Sequence, residues 1–169
     1  SGVASTSDAY DLDLSIASVT AIKSPSYVSV SPDGTKIFFV HAENSIMYIN
    51  VMSDELIYVS GSKNSGNLFT DSTILAARYW YLTLYSHASN VLFTGELNGA
   101  KVRALNFSIP IVKLLVGNPS GVPLDDQLGT DTLLNGIPSI CGVRKNKLYF
   151  VEEAANKIRS LDLATNVVL

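Results

Sequence analysis

Three side chains in this sequence have the donor atoms a transition metal prefers: His41, His87 and Cys141. Zinc asks for three or four such ligands at defined spacing. These three fall in different local settings, one after a strand-like run, one between two runs and one inside a run. The expected roles are a hairpin residue for His41, a solvated turn residue for His87 and a small core residue for Cys141. The run Asp125-Asp126-Gln127-Leu128-Gly129-Thr130-Asp131 is acidic, but it lacks the alternating aspartates and closing glutamate of a calcium hand. Gly61 and Gly66 have the spacing of a phosphate loop, yet Asn67-Leu68 follows where that loop needs Lys-Ser or Lys-Thr. No G-x-S-x-G elbow is present for serine hydrolysis. The sequence therefore supplies no catalytic constellation, and no metal or cofactor is expected.

The elements around these residues read as short strands. Runs such as Lys36-Ile37-Phe38-Phe39-Val40, Ile46-Met47-Tyr48-Ile49 and Leu56-Ile57-Tyr58-Val59 are β-branched, aromatic and apolar, bounded by Gly, Pro, Asn, Asp and Ser. In the turn Ser31-Pro32-Asp33-Gly34-Thr35 the proline presets the backbone and the glycine supplies the positive φ. No twelve-residue stretch holds a helical period. Of the 169 residues, 47% are hydrophobic and 16% charged, against a usual charged share of about 25%. That composition excludes a disordered tail. Twelve Lys and Arg against fifteen Asp and Glu leave no basic footprint for nucleic acid. No apolar run approaches the ~18 residues that span a bilayer, and no signal-peptide pattern opens the sequence. One cysteine excludes an internal disulfide framework.

The strand-like runs repeat in groups of four, A to D. The A runs are Ser26–Val30, Trp80–Leu84 and Ser139–Val143; the B runs are Lys36–Val40, Val91–Thr94 and Lys147–Val151. The C runs are Ile46–Asn50, Lys101–Asn106 and Lys157–Asp162; the D runs are Leu56–Ser60, Ile111–Val116 and Val167–Leu169. A long polar loop with Ser-Gly opens each group, at Ser1-Gly2, Ser65-Gly66 and Ser120-Gly121. Twelve strands in three fours is the pattern of β-propeller blades, here about 1–60, 61–116 and 117–169. The B runs are apolar on both faces, which a sandwich with one solvated face would not use. The fold expected is all-β: a propeller segment of three four-stranded blades.

The third unit carries a more specific pattern. Gly117-Asn118-Pro119-Ser120-Gly121-Val122 leads through a loop to Gly136-Ile137-Pro138-Ser139, then Leu148-Tyr149-Phe150-Val151-Glu152-Glu153 and Asn156-Lys157-Ile158-Arg159, closing on Asp162. This resembles the NHL-repeat propeller family, whose blades read P-x-G-V, L-Y-V-A-D, N-[RK]-I-R and a closing aspartate. The first unit matches through Ser24-Pro25-Ser26-Tyr27-Val28 and Ser31-Pro32-Asp33-Gly34, the second through Lys101-Val102-Arg103 and Asn106. The resemblance implies a six-bladed ring, of which these residues would be half. A second copy or another fragment would then complete it, because three blades leave two apolar faces open to water.

In a propeller the D-to-A loops and B-to-C hairpins share one face. Tyr79 and Trp80 sit where a D-to-A loop enters the innermost strand, either as inter-blade packing or as an aromatic anchor. Glu43, Asn44, Glu96, Asn98, Glu152 and Glu153 would join Asp125, Asp126 and Asp131 in an acidic rim suited to a basic or amine-bearing partner. The expected function is a protein-interaction or ligand-binding module using this face. The alternative is half of a propeller enzyme, such as a lyase or lactonase, with metal ligands in another segment. Asn106-Phe107-Ser108 is the one open glycosylation sequon, since Pro119 blocks Asn118. With the low charge, it inclines the reading toward a secreted or cell-surface setting.

Overall fold

A computed structural model describes residues 13–42, 44–61, 72–73, 79, 82–88, 90–97, 100–117, 127–134, 136–137 and 139–169. Among them are fourteen strands and one short 3-10 turn, Gly129–Asp131. The first sheet joins β1 (Ser26–Val30), β2 (Lys36–His41), β3 (Ser45–Asn50) and β4 (Glu55–Gly61) in chain order. In the second, β5 (Ser72–Thr73) lies outside β9 (Ile111–Val116), followed inward by β8 (Lys101–Asn106), β7 (Val91–Glu96) and β6 (Leu82–Ala88). The third repeats this with β10 (Gln127–Leu128) outside β14 (Val167–Val168), then β13 (Lys157–Asp162), β12 (Lys147–Glu152) and β11 (Ser139–Arg144). All pairings are antiparallel. Three four-stranded meanders, packed through neighbouring inner strands, make a β-propeller segment. No helix among the described residues is long and apolar enough to cross a membrane.

The blades share a feature that the strand pattern does not show. Part of each long entry loop adds a strand to the outer edge of the blade it precedes. β5 pairs with β9 and β10 with β14. In the first blade Ile16 bridges Glu55, with backbone bonds Leu14 N–H to Leu56 O and Leu56 N–H to Ser15 O. An unpaired outer edge is a template for aggregation, and this short strip covers it. The inner strand of the second blade, expected over 80–84, runs Leu82–Ala88 and so continues past the expected end, while 80 and 81 lie outside the described residues. His87 is thus inside a strand, exposed, with its ring 5.6 Å from Phe93. Cys141, expected in the core, is exposed on β11.

Each C strand ends in a residue that shapes the next turn. Asn50 Oδ1 accepts from Met52 N–H, and Asn106 Oδ1 accepts from Ser108 and Ile109 N–H. Asp162 Oδ1 accepts from Ala164 and Thr165 N–H. Short amide or carboxylate side chains mimic a backbone turn in this way. Those backbone bonds hold the Asp162 carboxyl below its ordinary range. The closing Asn or Asp of the repeat is therefore a turn-former.

Each of the first two D strands ends in a glycine with left-handed backbone, Gly61 at φ 121° and Gly117 at φ 112°. A Cβ on Gly61 would lie 2.3 Å from Asn44 O, and one on Gly117 2.4 Å from Ala100 O. The fourth strand can close on the preceding hairpin only without a side chain. Gly117→Ala should therefore destabilise the chain by about 2–4 kcal/mol, since backbone strain adds to the clash. Gly34→Ala, whose Cβ meets nothing within 4 Å, should cost about 1 kcal/mol from its positive φ alone. Urea unfolding of the two variants checks the difference.

Candidate binding face

The B-to-C hairpins turn at Ala42, Ala100 and Asn156, each with positive φ. Entry loops meet the same end of the blades. Ala42 N–H donates to Lys23 O, and a Cβ on Gly136 would come within 3.2 Å of Leu97 O. Hairpins and entry loops therefore do share one face. The acids expected to rim it divide into two groups.

Glu96 and Glu152 are not on the rim; both are buried. Strand register explains why. Glu96 pairs opposite Lys101, and Arg103 lies two residues further along the same side of the strand. That side faces the seam with the first blade. The Glu96 carboxylate is 3.4 Å from Lys101 Nζ and 3.4 Å from Arg103. The Arg103 guanidinium carbon lies 5.6 Å from the centre of the Tyr79 ring, and Tyr79 Oη is 2.8 Å from Ser60 Oγ on β4. Tyr79 is fully buried, so it ties the first blade to the second. Glu152 repeats the arrangement, opposite Lys157 and 2.6 Å from Arg159 Nε. In the first blade the equivalent positions are His41 and Met47, both buried. The signal was present in the sequence: an acid ending strand B, then K-x-R opening strand C, in both later blades. Period-2 alternation puts these groups on one side.

Burial pushes Tyr79 well above the ordinary tyrosine range, against the hydrogen bond from Ser60 and the charge of Arg103. It lowers Lys101 to about 8, with Arg103 adding to the effect and Glu96 opposing it.

Of the other proposed rim residues, Glu153 is exposed in the third hairpin and Asn44 is half-buried in the first. Asp131 is exposed on the 3-10 turn, where Gly129 bonds both Gly117 N–H and Asn166 O. Among the described residues no hydrogen bond or ion pair joins these three. Glu43, Trp80, Asn98, Asp125 and Asp126 lie outside the described residues, as do the Ser-Gly loop openings. Asn106 lies at the other end of the blades, in a C-to-D turn. Among the described residues no three His, Cys, Asp or Glu gather as metal ligands.

No protein-family model matches the sequence, and no curated protein does. Solved structures do share its fold. A Bacteroides thetaiotaomicron protein of unknown function is 14% identical with a TM-score of 0.61, over 86% of this chain and 34% of its own. An auxiliary nutrient binding protein from the same organism gives 0.62 at 14% identity, over 79% of this chain and 36% of its own. Virginiamycin B lyase from Staphylococcus aureus gives 0.53 at 18% identity, over 86% and 40%. This chain spans well under half the length of each.

The buried clasp generates two expectations. Glu96→Leu strands Lys101 and Arg103 without their counter-charge and should cost about 3–5 kcal/mol, whereas Glu153→Gln should change stability by less than about 0.5 kcal/mol. Chemical denaturation of both variants tests this. The second concerns pH. Lys101 has a folded-state pKa of about 8, below its ordinary 10.5, so between those values the unfolded chain binds the extra proton and stability rises with pH. Tyr79 runs the other way. Above pH 10 the unfolded chain loses the phenolic proton first, and stability falls. The melting temperature should climb from about pH 8 toward pH 10 and then drop, and Lys101→Met should flatten the climb.

Proposed function

We propose that this chain is part of a larger β-propeller of NHL-like type that binds a protein partner or small ligand on its hairpin-and-loop face. In this reading further blades, from a second copy or another segment, complete the ring. The observation that carries it is the burial of equivalent residues. Ile46, Val102 and Ile158 occupy the same place in the three C strands, on the side facing the next blade. The first two are 0% exposed and Ile158 is 79% exposed. On the opposite side Val28, Leu84 and Ile140 are equivalent in the inner strands. Leu84 and Ile140 are 6% and 5% exposed, while Val28 is 67% exposed. Both end blades thus present to water the positions that are closed at the inner seams. A head-to-tail contact, third blade to first, satisfies both at once.

Binding on the loop face is supported by the exposed third hairpin, with Glu153, Ala154 and Asn156 at its surface, and by the entry segments that meet the hairpins there. The fold is also shared by a protein described as nutrient binding. An enzyme completed by another segment is the second reading, favoured by the exposed His87 on an innermost strand.

Light scattering behind a sizing column tests the assembly. The expected mass for two copies is twice the chain's 18.2 kDa, and Ile158→Asp should return it to one chain with the circular dichroism of strands intact. An unlike partner co-purifying with the chain would place the remaining blades in another segment. A monodisperse single chain at micromolar concentration, unchanged by Ile158→Asp, overturns ring closure.

A further inference from the structure

The end of the blades opposite the hairpin face holds a cleft of about 410 Å³ at the seam between the first two blades. That volume is in the range of small-molecule sites. Its walls come from both blades: Lys36, Tyr48 and Tyr58 on one side, Asn90, Phe107 and Ser108 on the other. Phe107 stacks on Phe38 at 5.7 Å with an interplanar angle of 15°. One ring face is thereby covered, and the ring is held as a rigid wall of the cleft. Lys36 Nζ lies 5.9 Å from the centre of the Tyr48 ring, and among the described residues no carboxylate pairs with it.

The polar groups around these rings are of both kinds. Asn90 Nδ2 donates to Ser108 Oγ at 2.7 Å, which leaves Asn90 Oδ1 as an acceptor and the Ser108 hydroxyl proton as a donor. The half-buried Tyr48 hydroxyl has no hydrogen-bond partner among the described residues. The negative charges of Asp13 and Glu55 act on it, after burial, to raise its pKa. Among the lining residues Lys36 alone carries a charge, and the Asp13 and Glu55 carboxylates act on the Tyr48 phenol from outside the lining. A cation is repelled by Lys36, and an anion gains from Lys36 only against the field of Asp13 and Glu55. A neutral molecule with an apolar ring face and a rim of hydroxyls meets none of these penalties. Its C–H face can lie on an aromatic wall while its hydroxyls exchange bonds with an amide, a hydroxyl, a phenol and an ammonium.

We propose that this inter-blade cleft is a binding site for a neutral pyranose sugar, of mono- or disaccharide size. The site is separate from the hairpin face and does not depend on how the ring is completed. It adjoins the sequon, because Ser108 lines it and Asn106 shapes the same turn. Asn106 Oδ1 is engaged by the turn, so a glycan on Nδ2 would leave the turn's hydrogen bonds in place.

The test is an amide-resolved NMR titration of the full 169-residue chain made in a bacterial host that leaves Asn106 unmodified. The probes are maltose, cellobiose and N,N′-diacetylchitobiose, with benzoate as an anionic comparator. At least one sugar should give saturable shifts at 106–110 and around Lys36 and Tyr48. Tyr48→Phe and Asn90→Ala each remove one hydrogen-bonding group from a half-buried or exposed side chain. Each should weaken that sugar about fivefold, the worth of one net hydrogen bond, while the rest of the spectrum stays put. Absence of saturable shifts with all three sugars overturns the proposal. So do shifts unchanged in both variants, or saturable binding of benzoate alone.

Discussion

A sheet that is apolar on both faces is stable only between two neighbours, and the arrangement of this chain follows from that constraint. The second blade meets it fully. One side packs Leu84, Leu92 and Leu105 against Phe38, Val40 and Ile46 of the first blade. Its other side packs Phe93 and Val102 against Ile140, Leu148 and Leu161 of the third. Burying one large aliphatic side chain in such a seam contributes about 1.5–3 kcal/mol. A few equivalent positions at each end thus outweigh anything a surface ion pair contributes. The first blade partly covers its own outer side: Phe39, Met47 and Leu56 gather Ala17 and Ile22 from the preceding segment. That patch stops short of the inner strand, where Val28 and Val30 are exposed. The third blade has no comparable cover at Ile158.

Polar groups at the seams obey the same geometry. A residue at the end of a B strand that points into a seam must bring its own counter-charge or be neutral. In the second and third blades Glu96 and Glu152 bring Arg103 and Arg159 with them, and in the first a histidine and a methionine take those places. A buried pair of this kind is weak support for stability against an apolar alternative, but costly to break from one side. It also takes the acids most regularly repeated in the sequence, Glu96 and Glu152, off the hairpin face and into the blades.

Much of the fold was legible in the sequence, because period-2 runs bounded by turn residues report strands directly. Ser26–Val30, Lys101–Asn106, Ile111–Val116 and Lys157–Asp162 occur with the expected limits. The outer strands at Ser72–Thr73 and Gln127–Leu128 were not legible, since two residues are too short to show a period. Gly61 and Gly117 entered the sequence reading only as parts of loop patterns; what fixes them is the close approach of another chain segment, a long-range property. The candidate site was read less well for a related reason. Composition places Glu96 and Glu152 on a polar hairpin, and only register turns them inward. The inter-blade cleft drew no notice because its walls, Lys36 and Tyr48 on one side and Asn90 and Phe107 on the other, come from segments far apart in sequence.

The two ends of the blades are therefore built differently. Hairpins and entry loops crowd one end, and the strands there are fastened by buried ion pairs and by the crossing at Gly61 and Gly117. The other end is formed by short turns whose shape is set by Asn50, Asn106 and Asp162, each holding its own backbone. Turns fixed by local hydrogen bonds need no packing from a neighbouring blade to keep their form. Adjacent blades can then stand apart at that end while they close tightly deeper in the seam, at Phe38, Ile46 and Leu105. A cleft walled by Tyr48 and Phe107 is what that divergence leaves. Its depth is set by the stacked pair Phe38–Phe107, where the apolar seam begins.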